Sequence, residues 1–108
     1  GATVADSTNS VMLFETFLPT RYYLPREDVR MDLLEPTDTQ TACAYKGVAS
    51  YWSANVDGTM VRDVAWSYEE PHNYAAAVCG MICFFNERVD ITIDGVAVGR
   101  PRTPWSED

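Results

Sequence analysis

The segment Thr41-Ala42-Cys43-Ala44-Tyr45-Lys46-Gly47 places a thiol three residues from an ammonium, between a polar stretch and a run of β-forming residues. A cation beside a cysteine favours the thiolate, so Cys43 could serve as a nucleophile or a redox-sensitive thiol. A lysine in a desolvated aromatic pocket could instead be an activated amine or an anion hook. The plainer reading makes Cys43 a small buried hydrophobe and Lys46 a solvated cation, and spacing alone favours it.

A second segment, Trp66-Ser67-Tyr68-Glu69-Glu70-Pro71-His72, carries the single histidine of the chain. His72 could exchange protons near neutral pH, and a Cys43–His72 dyad is chemically conceivable. A lone histidine at the start of a short helix more often has no such task. The aromatics Tyr22, Tyr45, Tyr51, Trp52, Trp66 and Tyr68 form the third feature. Along a strand, Tyr51 and Trp52 must point to opposite faces, so only one can join Trp66 and Tyr68 on a pocket wall. Plain core packing accounts for at least half of these rings. Metal binding is disfavoured, because Cys79-x-x-x-Cys83 spans an expected helix end, Cys43 is distant, and one histidine completes no ligand set. Walker-type, Gly-x-Gly-x-x-Gly and Gly-x-Ser-x-Gly loops are absent from the sequence.

Short strands are expected to position these groups. Val4–Asp6 and Val11–Glu15 read as an N-terminal hairpin, and Arg21–Leu24 as a strand closed by Pro25. Pro25–Arg30 reads as one helical turn, and the polar stretch Glu35–Thr41, with Pro36, as a loop. Val48–Val56, then Asp57-Gly58, then Thr59–Trp66 is the clearest hairpin, since Asp-Gly supplies the positive φ of a type I′ turn. Asn73–Val78 reads as a short helix stopped by Gly80. Met81–Phe85 and Val89–Ile93 read as a final hairpin ending at Asp94-Gly95. The fold class expected is all-β, a single small bent antiparallel sheet of hairpins with one or two short helices. The 108 residues suit one domain, with a core over about 4–95 and an extended tail over 96–108.

Charge narrows the partners. Eight Lys+Arg against sixteen Asp+Glu leave a net charge of −8. Such a chain repels phosphate backbones and anionic membrane surfaces, so neither a nucleic acid nor a membrane is an expected partner. No apolar run approaches the ~18 residues of a spanning helix. Three cysteines and no secretory pattern at Gly1-Ala2-Thr3-Val4 make a reduced cytoplasm the simplest expectation.

Several stretches resemble the bacterial family of domain of unknown function 427. They are Tyr-Leu-Pro-Arg-Glu-Asp-Val-Arg (23–30), Leu-Leu-Glu-Pro (33–36) and Cys-Ala-Tyr-Lys-Gly-Val-Ala-Ser-Tyr-Trp (43–52). Trp-Ser-Tyr-Glu-Glu-Pro (66–71), Val-Asp-Ile-Thr-Ile-Asp-Gly (89–95) and Arg-Thr-Pro-Trp (102–105) follow in the same order. The resemblance implies a strongly bent antiparallel sheet of β-tent, or Mss4-like, type. Relatives of that architecture often hold a structural zinc, but this family lacks the paired CxxC set. Its nucleotidyltransferase-like label finds no phosphate-binding loop or carboxylate triad here. The family pattern is usually Thr-His-Cys-Pro-Tyr-Lys-Gly, where this chain has Ala42 and Ala44. Losing that histidine weakens a cysteine-based catalytic reading.

The leading expectation is a module binding a small polar or anionic ligand through Tyr22, Asp28, Cys43, Tyr45, Lys46, Trp52, Trp66, Tyr68 and His72, with no cofactor and no metal. An enzyme using Cys43 or Lys46 as nucleophile and His72 as proton carrier is the second reading. An interaction module, including a homodimer through edge strands, is the third.

Overall fold

The computed structural model describes residues 2–44 and 46–106. Its framework is a meander of three ten-residue strands, β3 (Leu34–Cys43), β4 (Gly47–Val56) and β5 (Thr59–Tyr68). Short strands β1 (Val11–Leu13), β2 (Arg21–Leu24) and β6 (Ile82–Phe84) extend it into a six-stranded antiparallel sheet ordered β1-β2-β6-β5-β4-β3. A separate ribbon pairs β7 (Ile91–Ile93) with β8 (Val96–Val98). The chain is therefore all-β. Asp57-Gly58 joins β4 to β5 and Asp94-Gly95 joins β7 to β8, each with both residues at positive φ, as a type I′ turn requires. No helix among the described residues is long and apolar enough to cross a membrane.

Four local expectations need correction. Val4–Asp6 does not pair with Val11–Glu15. It runs beside residues 28–30, with Arg30 N–H donating to the Val4 carbonyl and Asp6 N–H to that of Asp28. Val11–Leu13 pairs instead with Arg21–Leu24. The polar stretch 35–41 is strand, not loop: β3 lies at the sheet edge, where Pro36 is tolerated because its missing N–H faces no partner. Met81–Phe85 and Val89–Ile93 do not form a hairpin, because β6 inserts between β2 and β5 and both its edges are occupied. Residues 91–93 therefore turn at Asp94-Gly95 and pair with 96–98, within the stretch expected to be tail. Asn73–Val78 is a 3-10 stretch broken at Ala75 (φ −117°, ψ 20°), not an α-helix. Six residues are too few to offset the nucleation cost of an α-helix.

Both faces of the sheet carry core. Tyr23, Ala49, Trp66, Tyr68, Ala75, Val78, Cys83 and Phe85 pack on one side, with Tyr51 against them. Val29, Leu34, Trp52, Ala54, Val64, Ala65, Ile82 and Phe84 pack on the other. Tyr51 and Trp52 thus take opposite faces, as strand alternation demands.

Register shifts interrupt both long ladders, between Pro36 and Gln40 and between Trp52 and Ala54. One residue ties them together. Asp63 sits at φ 48°, its N–H donates to Ser53 Oγ (3.0 Å), and its carboxylate accepts from Thr37 and Thr39 hydroxyls, both at 2.7 Å. Burial works to raise its pKa, but the two hydroxyl donors together with the charges of Arg62 and Arg88 outweigh that and hold it below the usual carboxylate range. Asp63→Ala loses both bonds and places a Cβ-only residue in left-handed backbone. We expect a cost of about 1–3 kcal/mol, seen as a lower urea midpoint at unchanged m-value. Asp63→Asn, which tolerates positive φ and keeps an acceptor, should cost less. A midpoint shift within error for Asp63→Ala would mean that the bulges hold without this carboxylate.

Candidate functional site

The turn between β3 and β4 brings the first sequence segment to one end of the sheet. Gly47 opens β4 at φ 109°, and a Cβ there would meet the Glu70 carbonyl at 3.3 Å and the His72 amide at 3.5 Å. That close approach lets the chain leaving β5 lie directly on the turn. His72 N–H donates to the Lys46 carbonyl (3.0 Å), and His72 Nδ1 lies 3.1 Å from the Ala44 carbonyl oxygen. A carbonyl only accepts, so Nδ1 carries a proton in this contact.

Lys46 turns inward from this junction. Its ammonium lies 2.6 Å from Glu15 and 6.0 Å from the centre of the Tyr68 ring, with only 11 % of the side chain exposed and 21 % of Glu15. Tyr68 is buried, and burial first, then the neighbouring Cys43, Tyr51 and Glu15, push its phenol pKa well above the ordinary value. Cys43, at the end of β3, is a half-buried free thiol. The Tyr51 hydroxyl pairs with Thr41 Oγ1 at 2.9 Å. Cys43, Lys46, Tyr68 and His72 therefore do gather at one end of the sheet.

Behind them lies an aromatic row. Trp66 donates from Nε1 to the Tyr23 hydroxyl (3.0 Å), and its ring centroid is 4.5 Å from that of Phe85. Tyr51 stacks on Phe85 at 6.4 Å, and Trp105 lies 6.5 Å from Phe85 on the far side. The Arg21 guanidinium sits 5.2 Å from the Trp66 ring and 5.5 Å from Phe85. Its charge is met by Glu87 at 2.5 and 3.0 Å and by Asn86 Oδ1 at 2.6 Å, while Thr103 donates to Glu87 at 2.6 Å. Trp66 is thus interior packing, committed to protein partners on its polar tip.

Three expected residues stand elsewhere. Trp52 is on the opposite face, under the Arg26 guanidinium at 5.1 Å. Tyr22 faces away from its neighbour Tyr23, which belongs to the Trp66 side. Asp28 accepts from the Ser7 hydroxyl at 2.6 Å and lines a separate open cleft of about 340 Å³ with Asp6, Glu27 and Arg30. Tyr45 lies outside the described residues. Among the described residues, no group of three or more His, Cys, Asp or Glu is placed to hold a metal ion. Cys83 is fully buried, and burial pushes its thiol pKa far up, which leaves it unreactive.

Glu15 was not among the expected site residues. A signal exists in the sequence: it is the single charge in the apolar run Val11-Met12-Leu13-Phe14-Glu15-Thr16-Phe17-Leu18. A lone carboxylate in such a run marks a place where charge needs a partner.

A two-faced antiparallel sheet with a lysine-centred polar cluster at one end defines a small all-β domain. The chain belongs to the DUF427 family, a domain of unknown function, whose model matches residues 1–95. No curated protein matches it.

The buried Arg21–Glu87 pair supplies a pH test. Burial works to raise the Glu87 pKa, but the hydrogen bonds from Arg21 and Thr103 prevail and lower it. A lowered folded pKa contributes stability that is present above the unfolded value of about 4.3 and lost as pH falls through the folded one. Glu87→Gln leaves Arg21 buried without its counter-charge and should cost about 3–5 kcal/mol, whereas the joint change Arg21→Met with Glu87→Leu should cost much less. Urea midpoints measured from pH 7 down to 3 check both, with the double variant losing less stability on acidification than the parent.

Proposed function

We propose that this chain binds a small anionic ligand at the Lys46 end of the sheet. One observation carries the reading: a lysine ammonium nearly withdrawn from water, held, among the described residues, by a single carboxylate against the Tyr68 ring. Desolvating an ammonium and a carboxylate together often costs more than their attraction returns, so such a pair is poor as a stabilising device. A withdrawn cation is well suited to binding an anion, because its field is strong where water is scarce. The groups around it fit that use. Tyr68 and Tyr51 supply flat apolar surface, the Tyr51–Thr41 hydroxyl pair and the Cys43 thiol supply weakly polar edges, and exposed His72 borders the turn. The cleft beside Asp28 is lined by three carboxylates and would repel the same ligand.

A thermal-shift screen against carboxylates, sugar phosphates, nucleotides and inorganic anions tests the proposal. A ligand at about a hundred times its dissociation constant stabilises by roughly 2.7 kcal/mol, which moves Tm by several degrees or more. The shift should vanish in Lys46→Met, which keeps the apolar stem, while far-UV circular dichroism remains that of the parent. A hit that persists in Lys46→Met places the ligand elsewhere and defeats the proposal.

A further inference from the structure

Glu15 reaches Lys46 from the connection between β1 and β2, and that connection is held lightly. Phe14 is 69 % exposed and Phe17 fully so, with Phe17 at φ 65°, a conformation that side-chain-bearing residues avoid. Leu18 is also exposed, and its N–H closes a turn onto the Glu15 carbonyl at 3.2 Å. The preceding strand, β1, is an edge strand of three residues. Apolar side chains turned to water and strained backbone give this segment little reason of its own to stay. The contact that draws it inward is the 2.6 Å ion pair.

We infer that the Glu15 carboxylate is an internal occupant of the Lys46 anion site, that the ligand it stands in for is a small monocarboxylate, and that residues 14–18 leave the site when that ligand enters. The inference rests on the proposed anion site at Lys46 and adds the ligand class and its built-in competitor. The class follows from the charges. Among the described residues Lys46 is held by Glu15, one ammonium to one carboxylate. One ammonium balances one carboxylate like for like, whereas a phosphate dianion draws its affinity from several cationic donors. The flat faces of Tyr68 and Tyr51 suit a carboxylate on an aryl or short apolar body. Competition follows from tethering: a carboxylate on a short connection presents a high effective concentration at the ammonium, and lowers the apparent affinity for any outside anion.

Benzoate, with inorganic phosphate in parallel at matched ionic strength, is the probe. Titrations followed by amide NMR shifts compare the parent chain with Glu15→Gln, Glu15→Ala and Lys46→Met. Both Glu15 variants should bind benzoate about tenfold or more tightly than the parent. Lys46→Met should abolish binding, and phosphate should bind more weakly than benzoate throughout. In the parent, saturating benzoate should speed amide hydrogen exchange across residues 14–18, a readout that needs no substitution. Equal benzoate affinity in parent and Glu15 variants, with Lys46 still required, overturns the internal competitor and leaves the anion site standing. Unchanged exchange at 14–18 under saturating benzoate overturns the displacement. Phosphate binding ahead of benzoate in Glu15→Gln overturns the ligand class. No binding of either anion, even in the Glu15 variants, overturns the anion site and this inference together.

Discussion

The Arg21–Glu87 ion pair is the interaction on which the other contacts converge. A guanidinium taken out of water needs its donors filled, and here the adjacent Asn86 and Glu87 accept from it and in turn bind other parts of the chain. Glu87 and Asn86 hold the end of β6 beside β2, Asn86 Nδ2 donates back to the Thr20 carbonyl, and Thr103 brings residues 99–106 onto the same carboxylate. The face of the guanidinium then organises the rings of Trp66, Phe85 and Trp105 around it. Tyr51 and Tyr68, which border the candidate site, belong to the same packed cluster as Trp66 and Phe85, so the site's aromatic wall is tied to this charge pair.

Alternation along β4 decides where the two faces lie. The register shifts in the β3–β4 and β4–β5 ladders fall where Asp63 bonds Thr37, Thr39 and Ser53. On β4, Ala49 and Tyr51 face one cluster while Trp52 and Ala54 face the other. Lys46 and Cys43 lie at the opposite end of these strands from the Asp57-Gly58 turn, where Gly47 lets residues 70–72 close in. The site is thus made from a sheet end and a crossing loop, and its geometry depends on Gly47, where a side chain would be both crowded and strained at φ 109°.

The two inward-turned ion pairs differ in kind. Arg21 is bonded through two nitrogens to Glu87 and through one of these to Asn86, on rigid elements, with rings above it. Among the described residues Lys46 has one side-chain bond, to a carboxylate on a strained and exposed connection. The first arrangement is complete and would be weakened by any exchange of partner. The second rests on a single carboxylate among the described residues, which is why binding is proposed at Lys46 and not at Arg21.

Much of the framework was legible in residue order alone. Asp57-Gly58 between β-forming runs specifies its hairpin because the turn conformation is set by two adjacent residues. Opposite faces for Tyr51 and Trp52 follow from a period of two, and Lys46 and Tyr68 stand out as a cation and a polar-tipped ring. Tertiary structure decided the rest. Whether 81–85 pairs with 89–93 depends on β6 having both edges taken by β2 and β5, and residue 36 could join a strand because β3 is at the sheet edge. Glu15 meets Lys46 across 31 positions, and Arg21 meets Glu87 across 66. Local preference acts over a few neighbouring residues, whereas the partner of a buried charge is chosen by the whole sheet.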